Sequence, residues 1–258
     1  MATVHLAKLR DSFRFESHMT EPVERLIDRL TQRMPGYVLR EVQTGQGVVD
    51  LLAVEFDDDV LSHRSQARLG PIVLPLRVSV LARLSTARWA SLERLSGIVG
   101  SNPRALVRST IRPLQDLGTV EFDKDRVRAT GAWVPLARRL TAIELKLSKW
   151  KEAARQADNA AWATDHSWVV LDRYRSNGAM ANRRYFAEFR IGLALIDPSG
   201  SLEIIERPRR RHVVPWLRAW LGELAWARLV ANAGGSLRAA TLQKREPRIE
   251  KSCVSARS

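Results

Sequence analysis

Residues 138 to 157 read RRLTAIELKLSKWKEAARQA. Ala142, Ile143, Leu145 and Leu147 have the pattern of a strand entering a core, and Glu144 and Lys146, two residues apart, point to one face of it. A carboxylate and an ammonium on a half-buried strand are expensive without a purpose, so the pair points to charge-handling chemistry rather than packing. On an exposed strand the same residues would read as a solvated ion pair. This is the only Glu-x-Lys in the chain, and a helix follows it directly.

A second carboxylate lies upstream. Asp50 sits inside the apolar run GVVDLLAVEF, which reads as another strand. Asp57, Asp58 and Asp59 are close by, but consecutive acids cannot all face one site, and they read as a loop leading onward. Behind Lys146, Trp150, Ala153, Ala154, Ala157 and Ala161 make a stripe of mostly small residues that lets a helix lie close to a sheet. Lys149 and Gln156, seven residues apart, share a different face of that helix.

These residues need elements to hold them. TEPVERLIDRLTQRM is a helix with Thr20 as its cap, Pro22 early in it, and Val23, Leu26, Ile27 and Leu30 along one stripe. YVLREVQ and GVVDLLAVEF are two strands joined by a glycine-containing turn, which suits a hairpin. RSQARLGP is then a polar linker. Residues 70–130 form a separate unit with three helical patterns, VLPLRVSVLARLS, ASLERLSGIVG closed by Gly100, and NPRALVRSTIRPLQDLG with Asn102 as cap and Pro103 first in the helix. TVEFDKDRVRAT ends the unit as two short strands around Asp-Lys-Asp. Three helices followed by a hairpin is the order of a winged helix-turn-helix. The strand with Glu144 (about 139–147) and its helix (about 149–163) follow, then the strand HSWVVLD, a helical ANRRYFAEF, and the hairpin GLALIDPSGSLEIIE turning at Asp-Pro-Ser-Gly. A tryptophan-rich helix comes next, and residues 234–258 read as a disordered basic tail.

With 258 residues, 45% of them hydrophobic, the chain can bury a substantial core. Its formal net charge of +14, carried mostly by arginine, predicts attraction to polyanions, nucleic acid first among them. The single cysteine, Cys253, excludes a disulfide framework and a cysteine-based zinc site, and fits a cytoplasmic setting. The most apolar stretch, VVPWLRAWLGELAWARLV, is interrupted by Arg218, Glu223 and Arg228, and its apolar residues recur at helical spacing, so it reads as a packed amphipathic helix and no membrane partner is expected. No glycine-rich phosphate loop, His-Glu-x-x-His motif or serine triad is found.

With residues 70–130 set aside, the order is helix, strand, strand, strand, helix, strand, with Asp50 on the second strand and Glu144-Leu145-Lys146 on the third. In this the chain resembles the PD-(D/E)xK, or restriction-endonuclease-like, nuclease superfamily, over roughly residues 20–56 and 138–205. VVD, IELK and the KWKEAARQA helix carry the resemblance. The proline that usually precedes the aspartate is replaced by Val49. The resemblance implies an α/β restriction-endonuclease-like core, a central mixed sheet flanked by helices, built from residues 1–60 and 131–233 with the winged helix inserted. It implies Mg²⁺ or Mn²⁺ held by Asp50 and Glu144, with Lys146 orienting or deprotonating the attacking water and offsetting negative charge. In several branches a glutamine on the following helix faces the site, and Gln156 matches it. In some branches a glutamate on the first helix lies near the metal, for which Glu24, or else Glu21, stands in the right helix.

In the inserted unit, Arg104, Arg108 and Arg112 recur every four residues along the third helix, and Arg126 and Arg128 alternate on a wing strand. Arginine suits phosphate and guanine contacts, so these residues, with Lys149, are the DNA-binding set. Pro113 kinks that helix after Arg112 or ends its DNA-facing part. The same helical spacing also serves protein-interaction modules. The expected activity is that of a metal-dependent deoxyribonuclease with DNA as partner and a homodimer left open. A non-catalytic DNA-binding regulator on a nuclease-like scaffold is the alternative.

Overall fold

The computed structural model describes residues 12–32 and 35–234. Helix α1 (Ser17–Arg25) and the short α2 (Ile27–Thr31) bury Met19, Val23, Ile27 and Leu30 along one side. The helix starts three residues before Thr20, so the threonine lies inside it rather than capping it. Strands β1 (Tyr37–Gln43) and β2 (Val48–Phe56) form the expected hairpin. Its turn needs Gly45, which has φ +80° and lies so close to Trp220 that a Cβ would meet the indole at 2.8 Å.

The segment after β2 differs from the sequence reading. Asp57, Asp58 and Asp59 do not form a loop, and the first half of the expected linker is helical, because Asp57 caps α3 (Asp58–Gln66). Its carboxylate accepts from the N–H groups of Asp59 and Val60 at 3.1 and 3.2 Å. Asp58 and Asp59 then stand in the first turn, where the helix dipole favours negative charge, and Leu61 and Arg64 turn inward.

The inserted unit contains α4 (Pro75–Leu81), β3 (Ala90–Ser91), α5 (Leu92–Val99), α6 (Pro103–Leu106), a π-turn over Val107–Ile111, α7 (Arg112–Asp116), β4 (Val120–Asp123) and β5 (Arg126–Ala129). Asn102 caps α6 and Gly100, at φ 65°, closes α5, as their types demand. Pro113 neither ends nor truncates the third helical segment, which continues to Asp116. Proline lacks the N–H for the regular ladder, and the π-turn just before it absorbs the mismatch. The hairpin β4–β5 gains β3 as a third strand, in the order β3-β5-β4. Val78, Leu95, Leu106, Ile111, Leu114 and Val127 form a core within this unit that is continuous with Ala219 of the C-terminal helix.

The chain returns with β6 (Ala137–Lys146), α8 (Trp150–Ala160) and β7 (His166–Asp172). Two short helices follow, α9 (Asn177–Ala181) and α10 (Arg183–Glu188); α10 is the helix expected over ANRRYFAEF, and α9 is added before it. The chain ends with β8 (Gly192–Ile196), β9 (Leu202–Glu206) and α11 (Pro215–Asn232). The six-stranded sheet has the order β1-β2-β6-β7-β8-β9, with β6–β7 and β7–β8 parallel and the remaining pairs antiparallel. The molecule is thus α/β, with a mixed sheet flanked by helices. On one face α1 and α2 pack with Leu51, Ile143, Leu145 and Trp168. On the other, α8 lays Ala153, Ala154 and Ala157 against Val169 and Leu171, and α11 covers Leu52, Leu140 and Ala142. Small side chains on α8 are what permit its close approach.

No helix among the described residues is long and apolar enough to cross a membrane. The expected basic tail falls outside the described residues, apart from Gly234.

Candidate active site

The register of β2 against β6 runs to Leu51 opposite Ile143. One step further Asp50 stands opposite Glu144, but there the strands part. Val48 and Val49 pair only with β1, while Glu144, Leu145 and Lys146 pair only with β7. The sheet therefore opens in a fork, and Asp50, Glu144 and Lys146 all point to the α8 face at that fork. The fork is held by the Asp50 carboxylate, which accepts the backbone N–H of Leu145 at 2.7 Å.

Glu144 is 1% exposed, and neither of its carboxyl oxygens accepts a hydrogen bond from any donor among the described residues. The Asp50 carboxylate lies beside it and acts on it through its charge. Burial first, then the Asp50 charge, pushes the Glu144 carboxyl up to about 8, against the partial relief given by Lys146. Two buried oxygens without a hydrogen-bond partner among the described residues, beside a second carboxylate, fit a hard divalent cation, which takes oxygen ligands and would displace the proton that burial leaves on Glu144. Among the described residues no group of three His, Cys, Asp or Glu side chains assembles in metal-binding fashion, so the protein offers a pair of carboxylates.

Lys146 is nearly buried, and its Nζ lies 3.4 Å from Glu16 Oε2. Burial opposes its charge, but the carboxylates of Asp50, Glu16 and Glu144 outweigh that and raise its pKa. Lys146 is therefore an ammonium at neutral pH, a donor of protons and of positive charge. Glu16 also accepts the backbone N–H of Leu147 at 3.3 Å. The segment that delivers Glu16 is pinned by buried Asp172 at the end of β7, whose Oδ2 accepts from Ser12 Oγ at 2.7 Å and Phe13 N at 2.8 Å.

The sequence pattern points to Glu24 and gives little sign of Glu16. The Glu24 carboxylate is instead gripped by Arg40 of β1, through Nε at 2.9 Å and Nη2 at 2.7 Å. Glu21 pairs with Arg25 on the exposed side of α1. The only signal for Glu16 was its place as an acid at the start of an amphipathic helix. Gln156 stands one turn after Ala153 at the edge of the buried face of α8, and its Oε1 is buried without a partner among the described residues. Lys149 precedes α8, is largely exposed, and lies 3.7 Å from Glu152.

In the inserted unit Arg104, Arg108 and Arg112 are all exposed, and none forms an ion pair among the described residues. Arg126 is likewise exposed. Arg128 is different: it pairs with Glu121 at 2.6 Å and lies over the Trp89 ring at 4.8 Å, so its charge is already engaged.

The arrangement can hold a cation between two carboxylates, place an ammonium beside it, and present exposed arginines on a separate unit. Comparison with family models, with curated proteins and with solved structures found no match to this chain.

Proposed function

We propose that the protein is a divalent-metal-dependent deoxyribonuclease with a restriction-endonuclease-like core and an inserted winged helix-turn-helix that binds DNA. The observation that carries this reading is the buried Glu144 carboxyl, without donors, facing Asp50 in a sheet fork with Lys146 alongside. A buried carboxyl left so unsatisfied is costly, and a cation removes that cost. The order of helices and strands between residues 70 and 130, with unpaired arginines on its third helical segment, supports the winged-helix part.

Asp50 and Glu144 would hold Mg²⁺ or Mn²⁺, which when bound supplies charge neutralisation and an acidified water. The rest falls to the chain itself. Leu145 N–H fixes Asp50. Glu16 steadies Lys146 as an ammonium, which can hold an attacking water or a phosphate oxygen and offset the negative charge that develops on it. The buried Oε1 of Gln156 can accept a hydrogen bond from water or substrate beside the same strands. Duplex DNA would be gripped by Arg104, Arg108 and Arg112.

The test is incubation of the pure protein with plasmid and linear DNA in Mg²⁺ or Mn²⁺. Cleavage should appear, stop with a chelator, and vanish in Glu144→Ala and Lys146→Ala. Undiminished cleavage in both variants would sink the proposal.

A further inference from the structure

We infer that a groove at the far end of α8 from the carboxylate fork binds an unpaired stretch of a nucleic-acid strand. The groove has a volume of about 420 Å³ and is lined by Trp162, Phe189, Arg190, Arg211 and His212, among others. Because α8 runs back antiparallel to β6 over its 11 residues, the groove lies about 16 Å along the helix axis from the end of α8 that adjoins the fork. It is a separate site, and it does not depend on whether the fork cuts DNA.

Two large aromatic side chains are left outside the core here, Trp162 at 49% and Phe189 at 39% exposure. Tyr185 stacks on one side of Phe189 at 4.3 Å, which holds that ring in place. Nearby, the segment after β9 is laced down at two points. Arg209 N donates to Arg190 O at 3.2 Å, and Val214 N donates to Trp162 O at 2.9 Å. That lacing brings a run of arginines to the groove. Arg211 is fixed by Asp158 and the Phe189 carbonyl, and Arg210 leans on Asp165 at 3.4 Å. Arg190, Arg207 and Arg209 are exposed and form no ion pair among the described residues.

Exposed aromatic planes beside free guanidinium groups match one chemistry well. Unstacked bases lie on the rings, and the phosphates that join them meet the arginines. A duplex keeps its bases stacked on each other and offers only phosphates, so it would leave Trp162 and Phe189 without a role. Glu188 on the rim disfavours acidic peptides as much as phosphates, and a proline-rich peptide, which does dock on aromatic surfaces, brings no phosphates for the unpaired arginines.

The experiment uses the full chain carrying Glu144→Gln, in EDTA, so that binding is read apart from any cleavage. Fluorescence anisotropy follows labelled dT and U single strands of about 12 nucleotides and a duplex of equal length. Trp162→Ala, and separately Arg190→Ala with Arg209→Ala, should weaken single-strand binding about tenfold and leave duplex binding unchanged. Trp162→Phe, which keeps a stacking surface, should retain most of it. Arg104→Ala, Arg108→Ala and Arg112→Ala together should do the reverse, lowering duplex affinity only. The dT and U arms decide between DNA and RNA as the source of the strand. Single-strand affinity unchanged in both groove variants, or duplex affinity falling equally with it, overturns the inference, whatever the outcome of the cleavage assay.

Discussion

The Asp50 carboxylate accepts the backbone N–H of Leu145 at 2.7 Å, so one proposed metal ligand is tied to the residue between the other two functional side chains. A side-chain oxygen here takes the place of the main-chain carbonyl that would continue the β2–β6 ladder, and it is what lets the strands part without stranding that N–H. Asp50→Asn keeps an oxygen able to accept this bond but removes the charge. Cleavage should fall by about 100-fold or more, since a metal ion supplies several kcal/mol and each 1.4 kcal/mol is about tenfold. Thermal stability should change little. Asp50→Ala should lose both, and comparison of the two melting curves separates the roles.

The Glu144 carboxyl makes stability depend on pH in a definite direction. Its pKa in the folded protein is pushed up to about 8, from 4.5. Between those values the folded state keeps a proton that the unfolded chain has released, so stability falls as pH rises through this window. The decline contributed by this one group is at most about 5 kcal/mol. In EDTA, wild type should lose stability from pH 5 to 9 relative to Glu144→Gln, which has no proton to lose, and the variant should be the more stable at pH 9. Adding Mg²⁺ at pH 8 should stabilise wild type and leave Glu144→Gln unmoved. Parallel pH profiles for the two proteins would contradict the burial argument.

Glu16 steadies Lys146 from outside the strand, and its own side chain is 42% exposed. Glu16→Gln should therefore fold normally, yet lose about 10–100-fold in cleavage rate, as outer partners of a metal site commonly do. Glu24→Gln should leave the rate near that of wild type, because Arg40 already holds Glu24. Rates measured side by side at saturating metal decide the matter.

The sequence made much of this site legible for a local reason. Period-2 alternation in TAIELK fixes which face Glu144 and Lys146 share, and the small residues of the following helix announce its close packing. What stayed hidden depends on distant groups. Glu16 reaches Lys146 only because Asp172, far along the chain, pins Ser12 and Phe13. Arg128 looked like a free wing cation until Glu121 and Trp89 came beside it in space. The helix over Asp58–Gln66 is hidden in the sequence because three consecutive aspartates resemble a solvated turn, whereas one of them acts as a cap.

The arginines of the inserted unit separate by the same logic. Each phosphate contact contributes about 0.9 to the slope of log affinity against log salt on duplex DNA. Replacing Arg104, Arg108 and Arg112 by alanine should lower the slope by up to about 3. Arg128→Ala should leave the slope nearly unchanged, because that guanidinium already serves Glu121 and Trp89. Titrations of one duplex across a salt series read both effects.

Where the inserted unit joins the core, Glu223 of α11 is fully buried and accepts four hydrogen bonds. Arg64 gives two, at 2.6 and 3.2 Å, Ile72 N gives one at 2.8 Å, and Trp133 Nε1 one at 2.8 Å. Ile72 and Trp133 stand at the two crossings of the chain into and out of the insert, so a single carboxylate ties both. Arg64 in turn lies over Trp226 of α11 at 4.7 Å. Glu223→Ala strands a buried guanidinium and two N–H groups, and should cost about 3–5 kcal/mol in denaturant unfolding. Removing the charge from both sides is a different matter. Glu223→Leu with Arg64→Met should recover most of that loss, because apolar partners of similar size can replace a buried ion pair. If instead the double variant were as unstable as Glu223→Ala, the hydrogen bonds to Ile72 and Trp133 would outweigh the ion pair. The clamp would then act through the crossings themselves, and protease cleavage near residue 70 or 133 should become faster in both variants.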